Sequence, residues 1–283
     1  MSINFSKMAD SQSGHLLLVD SLNLAFRWKH KGALAFKDEY VRTVESFKKS
    51  YKAESVVILS DWGSSSYRKN IYPEYKQNRK DLRDKQTPEE QEYFEKFFEE
   101  YVKIVDYYRN DTKYPTFRFK GVEADDIAGY IVNNMQSLNI KNIWLISSDK
   151  DWDLLVKENV SRFSYVTRKE TTLDTWSEHY DVSPEDYISV KCLVGDSGDN
   201  VPGIPKVGPV TAKKLIEQYG SALDVANNIP LAGRQAYIKN INEFGSEAIL
   251  RNYQLMDLVS FCGDALGSEN METINNELSN LFL

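Results

Sequence analysis

Nine acidic residues in this sequence have spacings typical of a metal site, and they are the residues best suited to chemistry. They are Asp20, Asp61, Glu123, Asp125, Asp126, Asp149, Asp151, Asp196 and Asp199. A single Asp after a strand is usually a turn residue or a helix cap. Because these acids recur in pairs and in one triplet, a shared site is the better interpretation of the set.

Carboxylates that converge without cations repel one another, so the set predicts bound metal ions. Mg²⁺ prefers oxygen ligands and is commonly held by a few carboxylates plus substrate phosphate. Two ions about 3.5–4 Å apart can stabilise the attacking and leaving oxygens of a phosphoryl displacement. Zinc is disfavoured, because histidine and cysteine are not part of the set. We therefore expect two or more Mg²⁺ ions, with Mn²⁺ able to replace them.

The acids are predicted to divide between two ions. The first ion is assigned to Asp20, Asp61, Glu123 and Asp125. The second is assigned to Asp126, Asp149 and Asp151, with Asp199 as a further candidate. Asp149 and Asp151 are also predicted to be catalytic. For Asp196 and Asp199, the sequence leaves open whether they bind metal or position other groups.

Three short apolar runs precede three of these acids. The runs are His15–Val19, Ser55–Leu59 and Ile143–Ile146, and they lead to Asp20, Asp61 and Asp149. Runs without alternation suit strands that are buried on both faces of a parallel sheet. Ligands of open α/β sheets bind at the carboxyl ends of the strands. The predicted fold is therefore α/β, with a mostly parallel central sheet flanked by helices.

Helical patterns lie between these strands. Helices are predicted from Asp38 to Tyr51, from Ile127 to Leu138, and from a Thr87 cap onward to Tyr108. Glu123 and Asp126 would share one face if their turn is helical. Asp149 and Asp151 would point the same way if their segment is extended.

The net charge of −7 hides a basic segment between Arg68 and Lys85, where seven basic and three acidic residues give +4. Without the nine acids the rest of the chain carries +2, so bound metal would leave a surface that tolerates DNA. Aromatic and basic residues alternate in this segment, a mixture that can stack bases and hold phosphates. The candidate DNA-binding residues here are Arg68, Lys69, Tyr75, Lys76, Arg79, Lys80 and Arg83. Lys76 and Arg79 could face one phosphate from a helical turn, and both are predicted to be catalytic.

A second candidate DNA-binding element is a glycine-bounded loop that leads into a helix. Such a loop exposes backbone N–H groups to an anion. Its candidate residues are Gly203, Lys206, Gly208, Lys213 and Lys214. These contacts would position DNA without reading its sequence.

The predicted organisation has three parts. Residues 1–14 form a flexible tail, 15–184 a catalytic α/β domain, and 185–283 a helical domain with the helix-hairpin motif at about 200–220. An arch is predicted at about 80–111 within the catalytic domain. Two cysteines without metal-type spacing fit a cytoplasmic protein, and no segment is apolar enough to suggest a membrane span.

Six motifs occur in an order that resembles the 5′-nuclease, or flap endonuclease, family. They begin at Leu18 (Leu-Val-Asp-Ser-Leu-Asn), Leu59 (Leu-Ser-Asp), Tyr72 (Tyr-Pro-Glu-Tyr-Lys-Gln-Asn-Arg), Gly121 (Gly-Val-Glu-Ala-Asp-Asp), Ser147 (Ser-Ser-Asp-Lys-Asp-Trp-Asp) and Gly195 (Gly-Asp-Ser-Gly-Asp-Asn). The sequence looks most similar to the stand-alone bacteriophage enzymes and more distantly to the 5′-nuclease domain of bacterial DNA polymerase I. The resemblance runs from about Leu16 to at least Pro230.

The resemblance implies cleavage of branched DNA near a free 5′ end, together with 5′→3′ exonuclease activity. It implies a role in phage DNA replication in the host cytoplasm, as a monomer, on flaps, nicked duplexes and RNA–DNA primers. It also implies that Lys76 and Arg79 contact the scissile phosphate with Tyr75 nearby. The helix-hairpin would grip duplex DNA, with K⁺ as a further expected ion.

Two other functions remain open from the sequence. A PIN-like ribonuclease shares strands that end in acids, but it should lack the arch and the hairpin. A non-catalytic protein that binds branched DNA would not need a second ion site. A dehalogenase-type phosphatase is disfavoured, because Asp20 is not followed by Asp two residues later. No Walker-type loop is present, which disfavours an ATP-driven role.

Overall fold

The computed structural model describes residues 13–282, and its centre is a six-stranded sheet. The strands are β1 (His15–Asp20), β2 (Ser55–Leu59), β3 (Thr116–Phe117), β4 (Asn142–Ile146), β5 (Val160–Ser164) and β6 (Lys169–Thr171). Their order is β3-β2-β1-β4-β5-β6, and all neighbours are parallel except β5 and β6. The three predicted strands are confirmed as β1, β2 and β4, and they are almost entirely buried.

Thirteen helices surround or extend this sheet within the described residues. They are α1 (Ser21–Lys29), α2 (Lys37–Tyr51), α3 (Ser66–Ile71), α4 (Gln77–Arg83), α5 (Pro88–Asp111), α6 (Ala124–Asn133), α7 (Pro184–Val194), α8 (Pro209–Tyr219), α9 (Ala222–Asn227), α10 (Ala236–Phe244), α11 (Ser246–Met256), α12 (Cys262–Leu266) and α13 (Ser268–Ser279). Two 3₁₀ turns lie at Lys150–Leu155 and Trp176–Glu178. No helix within residues 13–282 is both long and apolar enough to cross a membrane.

Successive residues of β1 point to opposite faces of the sheet and join two different cores. Leu16 and Leu18 pack with α6, α12 and α13. Leu17 and Val19 pack with α1, α2 and α5. Because both faces are covered, every residue of this strand is buried, and its carboxyl end is held rigidly between β2 and β4.

Helix α5 begins with the predicted cap. Thr87 and Glu90 form a reciprocal capping box, and Pro88 lies in the first turn. The residues of α5 before Phe97 are exposed or half-buried, whereas Phe97, Tyr101, Ile104, Val105 and Tyr108 are buried in the core beside the sheet. The segment predicted as an arch is therefore divided: α4 and the start of α5 project from the sheet, and the rest of α5 belongs to the core.

Helices α7 to α11 enclose a third core, which also contains Tyr75. Gly195 follows α7 with φ +77°, and a side chain there would meet the backbone nitrogen of Gly203 at 2.2 Å. This close approach shapes the turn that carries Asp196 and Asp199. Helices α12 and α13 return to the sheet and pack near α6, so the last helices join the first unit's core. Residues 1–12 of the predicted tail lie outside the described residues. The backbone N–H of Gly14 donates to Glu54.

Candidate active site

The carboxyl edge of the sheet brings together the acids at the ends of β1 and β2. Asp20 ends β1 and caps α1 by accepting from the backbone N–H of Asn23. Its second oxygen accepts from the Ser147 hydroxyl at 2.8 Å. Asp61 follows β2 and accepts from the backbone N–H of Ala124 at 2.7 Å. Since β1 pairs directly with β2 and β4, these residues must be neighbours.

Asp20, Asp61 and Asp125 are buried carboxyl groups whose ionised forms are disfavoured by neighbouring negative charges. Burial raises the pKa of Asp20 well above its usual value, and the charge of Asp61 raises it further. Burial and Glu123 raise the pKa of Asp61. Burial and Asp149 raise the pKa of Asp125 well above its usual value. A hard cation would relieve this repulsion, so the donor chemistry fits a divalent metal.

The protein itself holds these side chains in place. Trp152 donates its indole N–H to Asp125 at 2.5 Å, and Asp20 and Asp61 have the partners described above. Among residues 13–282, no three His, Cys, Asp or Glu side chains are oriented so that they could coordinate one metal ion without moving. The fit to a metal therefore rests on donor type, burial and mutual repulsion.

The Asp149–Asp151 segment is not extended, so the condition under which the two side chains would point the same way is not met. Asp149 instead caps a 3₁₀ turn and accepts from the backbone N–H of Asp151 at 3.0 Å. This capping bond stabilises the turn in preference to a strand. Burial, with the charge of Asp149, raises the pKa of Asp151 to about 6.

Lys191 was not predicted from the sequence. Its ammonium lies 2.6 Å from a carboxylate oxygen of Asp151 and 3.2 Å from one of Asp196. Although burial alone would lower the pKa of Lys191, these two acids raise it, so the side chain stays charged. Lys191 lies on α7, 40 residues after Asp151, and no local pattern marks it.

Glu123 is a buried carboxylate that neighbouring cations keep in its charged form. It accepts from the ammonium of Lys76 at 2.8 Å and from the phenol of Tyr75 at 3.0 Å. Burial alone would raise the pKa of Glu123, but Lys76 and Arg68 hold it at about 2. Glu123 precedes α6 in an extended conformation, so the condition of a helical turn is not met and Glu123 and Asp126 do not share a helical face.

Lys76 and Arg79 converge on one anion, the carboxylate of Asp199. Arg79 donates to it at 2.5 Å, and the Lys76 ammonium lies 3.7 Å away. The phenol oxygen of Tyr75 lies 2.8 Å from it, so the single phenol proton is shared between Asp199 and Glu123. Lys76 precedes α4 in the left-handed region, φ +56°, where its backbone N–H donates to the Asp199 carbonyl. The predicted pairing of Lys76 and Arg79 around one anion is thus geometrically possible.

Arg68 and Asp126 require a correction. Arg68 was expected to bind DNA, but it is 3% exposed and makes a two-pronged pair with Asp126 at 2.7 and 2.8 Å. Its third nitrogen donates to the Leu255 carbonyl at 2.8 Å. Both oxygens of Asp126, which is 1% exposed, are therefore used within the protein. Arg68 is a buried link between α3, α6 and α11, and Asp126 is its counterion, so we remove both from their predicted roles.

Tyr75 and Lys69 also differ from surface DNA contacts. Tyr75 is 2% exposed, so its ring cannot stack on a base, and its phenol instead orients Glu123 and Asp199. The ammonium of Lys69 donates to the Pro73 carbonyl at 2.9 Å. Lys80 and Arg83 are exposed on α4. Arg83 lines a cleft of about 470 Å³ that reaches from α4 and α5 to Asp61 and Glu123.

In the predicted helix-hairpin, the loop glycines have different surroundings. A side chain on Gly203 would meet the Val194 carbonyl oxygen at 1.7 Å, so this glycine serves backbone packing. A side chain on Gly208, which caps α8, would meet nothing within 4 Å. Lys206 and Lys214 are exposed and Lys213 is half-buried. The open end of α8, with its free N–H groups, remains available to an anion.

Comparison with known proteins agrees with this architecture. Residues 15–181 match the family described as 5′-3′ exonuclease, N-terminal resolvase-like domain, and residues 182–274 match its C-terminal SAM fold. The chain therefore belongs to the 5′-3′ exonuclease family. It is a nuclease of the flap endonuclease and 5′-3′ exonuclease type.

One relative is the flap endonuclease of Escherichia phage T5, which is 40% identical over 92% of this chain and 89% of its own length. A structure of the T5 5′-exonuclease with bound divalent metal ions (zinc) has a TM-score of 0.89 at 38% identity, covering 95% of this chain and 99% of that one. A T5 flap endonuclease variant in complex with DNA and metal ions has a TM-score of 0.88 at 39% identity, covering 94% and 98%. The predicted family and fold are confirmed.

Proposed function

We propose that the chain hydrolyses phosphodiester bonds of branched or 5′-ended DNA at the carboxyl edge of its sheet, with two Mg²⁺ ions as cofactors. The observation that carries this proposal is a set of four carboxylates without an ion pair among the described residues. They are Asp20, Asp61, Asp125 and Asp149. When all four are ionised, their charge of −4 is balanced by the +4 of two divalent cations, so bound ions would stabilise the ionised forms that burial disfavours. Asp151 lies beside it and shares Lys191 with Asp196.

The metal ions would supply a Lewis acid at the scissile phosphate and a bound water that deprotonates near neutral pH. Asp20, Asp61 and Asp125 would hold one ion, and Asp149 and Asp151 the other. Glu123 keeps its charge through the Lys76 and Tyr75 contacts and completes the first group. Mn²⁺ should replace Mg²⁺, because it accepts the same oxygen ligands.

Lys76 and Arg79 would bind the scissile phosphate. In the structure they surround the carboxylate of Asp199, so an arriving phosphate oxygen would compete with Asp199 for the same donors. Preorganised donors of this kind stabilise the charge that develops in a transition state. Asp196 and Asp199 would then hold Lys191, Lys76 and Arg79 in place, and need not bind metal directly.

The loop 201–208 and the start of α8 would hold duplex DNA through backbone N–H groups and the lysines around them. The carbonyls of Pro202 and Pro205 already accept from Asn252 and Asn240. The family resemblance also implies a K⁺ ion at this loop, and we include that ion in the proposal. RNA–DNA primers as substrates, a monomeric state, and action in phage DNA replication in the host cytoplasm belong to the same proposal.

The metal proposal can be tested with Asp149→Asn combined with Asp151→Asn. Mn²⁺ binding is measured by electron paramagnetic resonance, and cleavage of a 5′-flap duplex is measured in Mg²⁺. We expect one of two Mn²⁺ sites to be lost and cleavage to fall by at least 10²-fold. The control is Asp174→Asn, an exposed acid outside the site. Full Mn²⁺ binding and normal cleavage in the double variant would contradict the assignment.

A further inference from the structure

Trp62, the residue directly after Asp61, is exposed in an unusual way. It is 47% exposed, whereas the other four tryptophans of the chain are at most 5% exposed. The Cα atoms of Asp61 and Trp62 are about 3.8 Å apart, so the Trp62 side chain leaves the backbone beside Asp61, at a distance shorter than the length of one nucleotide. A large apolar ring in water at this position has no packing explanation.

The backbone around Trp62 is fixed although its side chain is exposed. The Trp62 carbonyl accepts from the Gly121 N–H at 2.8 Å, and its N–H donates to the Val122 carbonyl at 3.5 Å. These bonds tie Trp62 to the turn that precedes Glu123. The ring therefore projects from a rigid part of the site, so its exposure is not a product of a loose loop.

Arg118 covers one side of the indole. Its guanidinium lies 5.4 Å from the ring centroid, and its Nε donates to the Asp61 carbonyl at 3.3 Å. Arg118 makes no ion pair with any described residue, so its remaining N–H groups can donate hydrogen bonds to a phosphate. Arg118 and Asp61 both line the cleft that contains Lys76 and Arg79.

We propose that Trp62 and Arg118 form a binding site for one unpaired nucleotide next to the scissile phosphodiester. The open face of the indole stacks on the nucleobase, and Arg118 contacts the phosphate of the same nucleotide. A stack on an aromatic ring is tolerant of sequence, because every base has a π face. The occupant is an unpaired nucleotide of the DNA strand being cut. This inference rests on the proposed function and adds a positioning site to it.

Fluorescence tests the stack directly, because Trp62 is the only tryptophan with substantial exposure. We expect 5′-flap DNA to quench the emission of the wild-type protein in EDTA, where no cleavage occurs. Trp62→Phe should lose most of this quenching, and Trp176→Phe, which removes a buried indole, should retain it. A flap with an abasic nucleotide beside the cleavage position should quench much less.

Affinity provides the second readout. Trp62→Leu should weaken flap binding by roughly 5- to 100-fold, as for the loss of one base–aromatic stack, while Trp62→Phe should keep most of the affinity. Arg118→Gln should weaken binding and lower the salt dependence by about one phosphate contact. For fully paired DNA without an unpaired nucleotide, all three variants should bind within about twofold of wild type.

Two results would overturn the inference: unchanged quenching in Trp62→Phe, or equal binding of intact and abasic flaps by the wild type. If wild type cleaves flaps in Mg²⁺ but shows either result, the nucleotide site is wrong and the nuclease proposal stands. If wild type neither binds nor cleaves flaps, the proposed function itself is wrong.

Discussion

Arg68 provides a sharp test of how the site is supported, because the sequence suggests a DNA contact and the structure shows a buried ion pair. Arg68→Ala would leave the carboxylate of Asp126 buried without its counterion, and the Leu255 carbonyl without a donor. Removing one partner of a buried pair costs about 3–5 kcal/mol. Since folded domains have free energies of unfolding of about 5–15 kcal/mol, this is a large part of the total.

The assay is urea denaturation in EDTA, followed by circular dichroism, with DNA binding measured separately at low temperature. Arg68→Ala should lower the free energy of unfolding by about 3–5 kcal/mol, whereas Lys69→Ala, the more exposed neighbour, should change it by less than about 0.5 kcal/mol. Replacing the pair together, as Arg68→Met with Asp126→Leu, should recover much of the loss, because no unpaired charge remains.

A specific result would refute this reasoning. If Arg68→Ala unfolds like the wild type, the buried pair does not support the fold. If it also reduces the salt dependence of flap binding by about one phosphate contact, Arg68 binds DNA as the sequence suggested. The double variant Arg68→Met with Asp126→Leu separates the two roles of Arg68. It should regain stability if Arg68 only supports the fold, but it cannot regain DNA affinity if Arg68 contacts a phosphate.

Four further predictions concern the site and its supports. In EDTA, the free energy of unfolding should fall as pH rises from about 4 to above 6, because the pKa of Asp151 is raised to about 6 in the folded protein and the folded state therefore binds more protons than the unfolded state in this range. Urea denaturation at several pH values across this range measures the trend. Saturating Mg²⁺ should remove it. Lys191→Met should raise the pKa of Asp151 further, because a neighbouring cation is lost, and so shift the acid limb of the kcat/KM profile upward. Lys76→Ala should lower kcat by about 10²–10³ with DNA binding largely kept, as single-turnover cleavage and filter binding would show. Gly203→Ala should reduce the free energy of unfolding by at least about 2 kcal/mol, because the added Cβ would overlap the carbonyl oxygen of Val194. Gly208→Ala should change the free energy of unfolding by less than about 0.5 kcal/mol but should weaken the binding of duplex DNA.

The parts of the fold that local patterns encode were predictable from the sequence. The apolar runs ending at Asp20 and Asp61 define buried strands, and parallel pairing then requires their acids to meet at one edge. The capping box at Thr87 likewise depends only on residues within one turn. These predictions need no knowledge of distant packing.

The roles of Arg68 and Tyr75 could not be predicted in the same way. Both belong to a segment rich in charge and aromatic rings, and this composition is typical of a nucleic-acid surface. Their burial depends on α11, 187 residues after Arg68, and on the turn that carries Asp199. A charged residue is buried only when a distant partner pays its desolvation, and that partner leaves no local pattern.

The nine acids, considered together, explain how an acidic protein can accommodate DNA. Five of them already have cations from the protein within 4 Å. They are Glu123, Asp126, Asp151, Asp196 and Asp199, matched by Arg68, Lys76, Arg79 and Lys191. The remaining four, at the ends of the strands and the start of α6, have none among the described residues. Lys76 lies too far from them for an ion pair and offsets the charge of Asp61 and Asp125 only in part, so the burial and repulsion that raise the pKa values of Asp20, Asp61 and Asp125 are also what would favour divalent ions at this edge of the sheet.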